Sequence, residues 1–263
     1  MYPGESVRFD MDEGILSLIS DLEESKKDCR VILDNPSSDT LKRSSIVRSI
    51  EASLAIEGNT LGLRAVSDAM DGRDIEGPFD EVVEVRNAVG AYRDLQRWDT
   101  WSVGDFLDAF DTLMFGLVEE PGFRRCGVGV FGGDTLIYRA PPHEEVPGMV
   151  EGLFAWGMDS MLPTPVVGAV VHYCIETIHP FVDGNGRMGR LWNTKINIGS
   201  DPLYALVPME SYIRRRRNEY YEILEERQSS KGHDCTPFVG FCLEVLIEGF
   251  DDVHHLLRPY AIW

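Results

Sequence analysis

The chain has 263 residues, 43% hydrophobic and 26% charged, with a net charge of −19. That length holds one sizeable domain or two small ones, with apolar residues enough for a packed core. So acidic a chain is not built to bind nucleic acid or an anionic membrane surface. No run approaches the roughly 20 apolar residues of a membrane span. The start, MYPGESVRFDMDEG, has neither the basic nor the apolar region of a secretory signal. The five cysteines (Cys29, Cys126, Cys174, Cys235, Cys242) are odd in number, scattered and without a CxxC pair. Reduced thiols and a cytoplasmic location are expected, with export by a signal-less route left open.

Apolar periodicity and turn residues predict helices over 11–28, 40–57, 79–97, 104–118, 143–158, 164–178, 186–198, 209–228 and 236–256. The breaks carry turn chemistry: Asn35-Pro36-Ser37-Ser38, Asp71-Gly72, Glu76-Gly77-Pro78, Pro121-Gly122 and Gly199-Ser200-Asp201-Pro202. In the second helix Ile46, Val47, Ile50, Leu54 and Ala55 keep a helical spacing, and Gly58 is a natural stop. Strand character is confined to 126–140, where Phe131-Gly132-Gly133-Asp134-Thr135 predicts a hairpin turn. The expected fold is mainly α, a helical bundle with one small β-hairpin, the first 60–75 residues forming a helical cap. The basic run Arg214–Arg217 is flanked by Glu210, Glu219, Glu222, Glu225 and Glu226, which reads as a charge-paired helix face.

Chemistry concentrates in His179–Arg190, HPFVDGNGRMGR. The preceding run, Thr164–Ile178, reads as a buried helix that stops before Pro180, leaving His179 at the helix-to-loop corner as a general-base candidate. Gly184, Asn185 and Gly186 form a loop able to take positive φ and feed the next helix. A helix N-terminus favours an anion through its unpaired N–H groups and dipole. Arg187 and Arg190, three apart, share one face, and their guanidinium forks suit phosphate oxygens. Asp183 offers the oxygen that Mg²⁺ takes when it lies between protein and phosphates.

This segment matches HxFx(D/E)GNGRxxR, the signature of the Fic family, at His179, Phe181, Asp183, Gly184, Asn185, Gly186, Arg187 and Arg190. The chain thus resembles mostly helical enzymes that transfer AMP from ATP to a protein hydroxyl. The resemblance implies His179 as base and Asp183 as ligand of Mg²⁺ or Mn²⁺. It also implies Gly184, Asn185, Gly186, Arg187 and Arg190 around the phosphates, with Phe181 as a core anchor. Pro121-Gly122-Phe123-Arg124-Arg125 is similar to the strand entering the family's hairpin flap. Leu136, Ile137, Tyr138 and Arg139 resemble its return strand, and Tyr220 and Tyr221 the helix that helps form the nucleotide pocket. Roughly residues 80–250 match the family core. One departure is Phe110, where many members carry a histidine. No winged-helix domain of the kind some larger members carry is expected after Trp263.

Upstream, Ser53-Leu54-Ala55-Ile56-Glu57-Gly58-Asn59 resembles the family's inhibitory motif, (S/T)xxxE(G/N). The resemblance implies that Glu57 pairs with Arg190 and blocks productive γ-phosphate placement, with Ser53 in the same motif. A carboxylate suits this, because it competes with phosphate for one guanidinium fork. The division that follows is an inhibitory helical region over 1–78 and a Fic core over 79–263. An unidentified protein target is implied, with self-modification, while the oligomeric state is not legible. Removal of AMP, with Glu57 activating water, stays open, as do transfer of another phosphate-linked group and a non-enzymatic interaction role. The ANK-type motif of the Doc-like kinases is not matched, since Gly186-Arg187 stands there. Glu176-Thr177-Ile178-His179 is an ExxH, but a di-iron bundle needs a second one and the chain has none. His233-Asp234 is an HD dipeptide without accompanying ligands.

Overall fold

The computed structural model describes residues 7–30, 38–132, 135–229 and 234–257. Among them the helices are α1 (Glu13–Cys29), α2 (Ser38–Ile56), α3 (Leu63–Met70), α4 (Phe79–Asp94), α5 (Val103–Leu113), α6 (Val146–Asp159), α7 (Thr164–Ile178), α8 (Asn185–Ser200), α9 (Met209–Arg215), α10 (Arg217–Ser229) and α11 (Thr236–Leu257). Two antiparallel strands, β1 (Gly129–Gly132) and β2 (Thr135–Arg139), form the one sheet of the described residues, with a register shift at Val130/Phe131. The fold is therefore the helical bundle expected. No helix of the described residues is long and apolar enough to cross a membrane. The turn at 133–134, the break at 35–37 and His233 lie outside the described residues.

The centre of the bundle is α7, buried from Pro165 to Ile178, lying against α8. Two glycines permit that close approach. A Cβ on Gly168 would stand 2.4 Å from Asn193 Oδ1, and one on Gly189 would stand 2.5 Å from His172 Cδ2. Beyond α7, Phe181 stacks on Phe110 with ring centroids 3.6 Å apart and also meets Phe106 at 5.4 Å. Phe110 thus packs the first turn of the loop after α7.

Helix α2 packs against α3, α4 and α9, and α1 runs along α11. Ser45, Ser49 and Ser53 recur every four residues on α2 and are all buried with Ile50, Leu54 and Ile56. Its exit is tied down on α4. Asn59 Nδ2 donates to Glu84 Oε2 at 2.8 Å and to the Glu81 carbonyl at 3.1 Å, and Thr60 donates twice to Glu81.

Three expectations need correction. The stretch between 58 and 78 holds α3, whose eight residues are too few for a periodicity reading, although Leu63, Val66 and Met70 share a face and Val66 is fully buried. The helix expected over 209–228 is two helices broken at Arg216, whose guanidinium is drawn to Glu219, Glu244 and Glu248, the last two on α11. The helix expected over 104–118 ends at Leu113, where Met114 caps it through Phe110 O and Gly116 turns at φ 72°.

Candidate active site

His179 follows α7 directly, at φ 50°, and is the one non-glycine residue with positive φ among the described residues. Pro180 disfavours further helix, and the left-handed turn swings the imidazole out of the helical path. Its Nδ1 lies 3.3 Å from the Glu176 carbonyl. A proton on Nδ1 donates there and leaves the Nε2 lone pair free. Burial disfavours the imidazolium and pushes His179 below the ordinary histidine value. A neutral ring with one nitrogen already committed is a ready proton acceptor.

The loop that follows is folded by its own side chains. Asn185 Oδ1 accepts from the Phe181 N–H and its Nδ2 donates to the Phe181 carbonyl, both at 3.0 Å. Gly184 takes φ 80°, and its N–H meets Asp183 Oδ1 at 2.6 Å. The first intrahelical bond of α8 runs from Met188 N–H to Gly184 O at 2.9 Å. The N–H groups of Asn185, Gly186 and Arg187 are thereby left without intrahelical acceptors. The Asn185 side chain is spent inside the loop; what it leaves for a ligand is backbone.

Arg190 is fully buried. Its Nη2 meets Glu57 Oε1 at 2.7 Å and the Ser53 carbonyl at 3.1 Å, while Nε meets Ser53 Oγ at 3.1 Å. Nη1 has no hydrogen-bond partner in this structure. Glu57 Oε1 lies 2.7 Å from where a Cβ on Gly186 would stand. The carboxylate therefore sits on the first turn of α8, where the helix terminus favours an anion. Burial opposes the Arg190 charge, yet Glu57 and the neighbouring acids hold its pKa above the usual arginine value.

The two motif arginines have different partners. Arg187 Nη1 pairs with Glu84 Oε1 at 2.6 Å, and its Nη2 lies 3.6 Å from Asp183 Oδ2. Its side chain stays outside the cavity that Glu57, Glu176, His179, Asp183, Arg190, Tyr220 and Tyr221 line with the loop, a space of about 240 Å³. Each of the two arginines thus has its own carboxylate, Glu84 on α4 for Arg187 and Glu57 just beyond α2 for Arg190.

Tyr220 is buried and Tyr221 half-buried, their rings 5.2 Å apart. Arg139 is exposed, β2 lies beside α10, and the side chains of Leu136, Ile137 and Tyr138 lie outside the described residues. Asp183 is 69% exposed at the mouth. No group of three or more acidic, histidine or cysteine side chains among the described residues is placed to cage a metal. One exposed carboxylate suits a cation shared with substrate phosphates and water rather than held by protein alone.

Sequence reasoning weighed Glu176 only as a metal ligand and passed over Glu84. Glu176 faces the cavity, 3.4 Å from the same Gly186 Cβ position, and accepts from Tyr220 O–H at 3.1 Å. Burial pushes its carboxyl up, but His172 and then Arg190 outweigh this and hold it below the usual range. A charged residue inside so apolar a helix was the available signal. Glu84 carried none, since its value comes from a contact with a distant helix.

The helical bundle thus sets a histidine beside a helix start whose free N–H groups favour an anion. The Fic/DOC family model matches residues 85–196. A crystal structure of a Fic family protein from Desulfovibrio desulfuricans superposes with a TM-score of 0.88 at 37% identity, covering 97% of this chain and 77% of that one. Fic-1 of C. elegans has the same fold, with a TM-score of 0.70 at 20% identity over 95% of this chain and 73% of that one. A Culex quinquefasciatus protein named protein adenylyltransferase Fic is 29% identical over 217 residues, 76% of this chain and 40% of that protein. A probable protein adenylyltransferase of Aquifex aeolicus is 27% identical over 120 residues, 45% of this chain and 34% of that one. This chain belongs to the Fic family. It spans between 34% and 40% of the length of these two curated relatives.

Proposed function

We propose that this protein transfers AMP from ATP to a hydroxyl group of a protein, and that Glu57 holds the activity back. One observation carries the reading. His179, the start of α8 and the buried Arg190 open into one cavity, and a carboxylate already occupies the anion position. The cavity of about 240 Å³ lies below the roughly 300–1,000 Å³ usual for ligand pockets, as expected if Glu57 fills its phosphate end. The relatives named adenylyltransferase support the same activity.

In this reading the target hydroxyl oxygen attacks the α-phosphorus of ATP and gives its proton to His179 Nε2. The bond from the α-phosphorus to the bridging oxygen breaks, pyrophosphate leaves with that electron pair, and AMP stays esterified to the target. The first N–H groups of α8 and the Arg190 guanidinium hold the phosphate oxygens in line. Asp183 would share a divalent cation with those oxygens, and such a cation would neutralise charge on the leaving pyrophosphate. Tyr220 and Tyr221 would bound the nucleotide beside β2. Residues 1–78 would serve as the regulatory part and 79–263 as the catalytic part, because α2 delivers Glu57 to a site built by α7 and α8. Incubation of the parent and of Glu57→Gly with ATP labelled at the α-phosphate tests the whole reading: label must appear on protein.

Two expected results follow from this arrangement. Transfer should stop in EDTA, return with Mg²⁺ or Mn²⁺ rather than zinc, and fall in Asp183→Ala. Unchanged transfer in either case removes Asp183 from its role. The hairpin should dock an extended target segment by adding a strand, since main-chain bonds register a segment without demanding a sequence. Ile137→Pro or Tyr138→Pro should then damage transfer to a target more than ATP binding. Equal loss of both assigns the hairpin to the nucleotide alone.

A further inference from the structure

The Arg124 side chain is 3% exposed and spends its whole fork on backbone carbonyls. Nε donates to His179 O at 2.7 Å, Nη1 to Cys126 O at 2.8 Å, and Nη2 to Pro141 O at 2.6 Å and Ile178 O at 3.3 Å. Its own N–H donates to Pro180 O at 2.9 Å. These acceptors belong to two separate places. Ile178, His179 and Pro180 are the corner that turns the imidazole out of α7. Cys126 and Pro141 flank the hairpin below the Ala140 N–H to Val128 O bond that closes its base.

We infer that Arg124 is a positioning residue that holds the His179 corner and the hairpin in one fixed relation. Transfer between two bound partners is sensitive to such alignment. A displacement of about 1 Å far from the chemistry can cost a hundredfold in rate. His179 sits at a strained left-handed φ, and a conformation of that kind lasts only where its surroundings over-determine it. The carbonyls at the end of α7 have no intrahelical partners and carry the negative end of its dipole, which a guanidinium answers in charge and in geometry. Arginine alone has donors spread widely enough to reach both places. An ammonium presents its three donors from one point and satisfies one place or the other. The neighbouring Arg125, by contrast, is exposed.

The inference rests on reading His179 as the base and the hairpin as the target's dock, and its test separates the two. In the full-length Glu57→Gly protein, Arg124→Lys and Arg124→Gln should each lower AMP transfer at saturating ATP at least tenfold, with the KM for ATP changed less than threefold. In amide hydrogen exchange, segments 128–140 and 178–181 should lose protection together while α1 and α11 keep theirs. Transfer within twofold of the Glu57→Gly protein overturns the inference. So does a KM that rises in step with the loss of rate, a loosening of only one of the two segments, or a loss of protection throughout the chain. If Glu57→Gly itself transfers nothing, the proposed function fails, and Arg124 is then judged on the exchange pattern alone.

Discussion

His179→Ala should lower AMP transfer by about 10²–10⁴-fold, the usual worth of general-base assistance. ATP binding and the fold should hardly change. The phosphate contacts assigned to this site come from the start of α8 and from Arg190, and the loop is anchored by Phe181 on Phe110 and by Asn185. The parent's pH profile should report the same group. Burial lowers the His179 pKa from its ordinary 6.5. Transfer should therefore rise with pH and reach its plateau at a lower pH than an ordinary histidine would allow, because the base works only when deprotonated, and His179→Ala should lose that acidic limb. Residual transfer within a few-fold of the parent, or an acidic limb that survives the substitution, removes His179 from the mechanism.

Glu57→Gly should raise transfer, self-modification included, by at least tenfold, which is about 1.4 kcal/mol of barrier. The bond it removes is donated by a fully buried arginine to a carboxylate that is 33% exposed. Hydrogen bonds to charged groups are worth roughly 1.5–3 kcal/mol, enough for the effect. Glu57 lies one residue beyond α2, so glycine there does not interrupt the helix. Arg190→Ala should not mimic it, because that change removes a phosphate ligand along with the brake. An unchanged or lower rate in a folded Glu57→Gly protein reduces α2 to a structural helix. If the parent instead releases AMP from a modified target faster than the variant does, Glu57 is a hydrolytic group.

The segment from Thr164 to Arg190 was legible because its signals are local. An apolar run, a proline stop, a pair of glycines and a helix start act over a few residues, and α7 spans the expected 164–178. The two short strands, 129–132 and 135–139, lie within the stretch of strand character at 126–140. The short α3 and the break at Arg216 were not legible, since eight residues carry little periodicity and the Arg216 guanidinium pairs with carboxylates of the distant α11.

Within the site, the residue types of the motif were determined by sequence, but the partner of each was a tertiary decision. Arg187 and Arg190 look equivalent on a helical wheel. Packing gives the first to Glu84, 103 residues away, and the second to Ser53 and Glu57, the latter 133 residues away. Arg124 reads as an ordinary residue of a strand entering the hairpin until the fold closes around it and sets four carbonyls within its reach. Local propensity places donors and acceptors along the chain. Which of them meet depends on which helices share buried surface, and that is decided only when α2, α4 and the hairpin settle against α7 and α8.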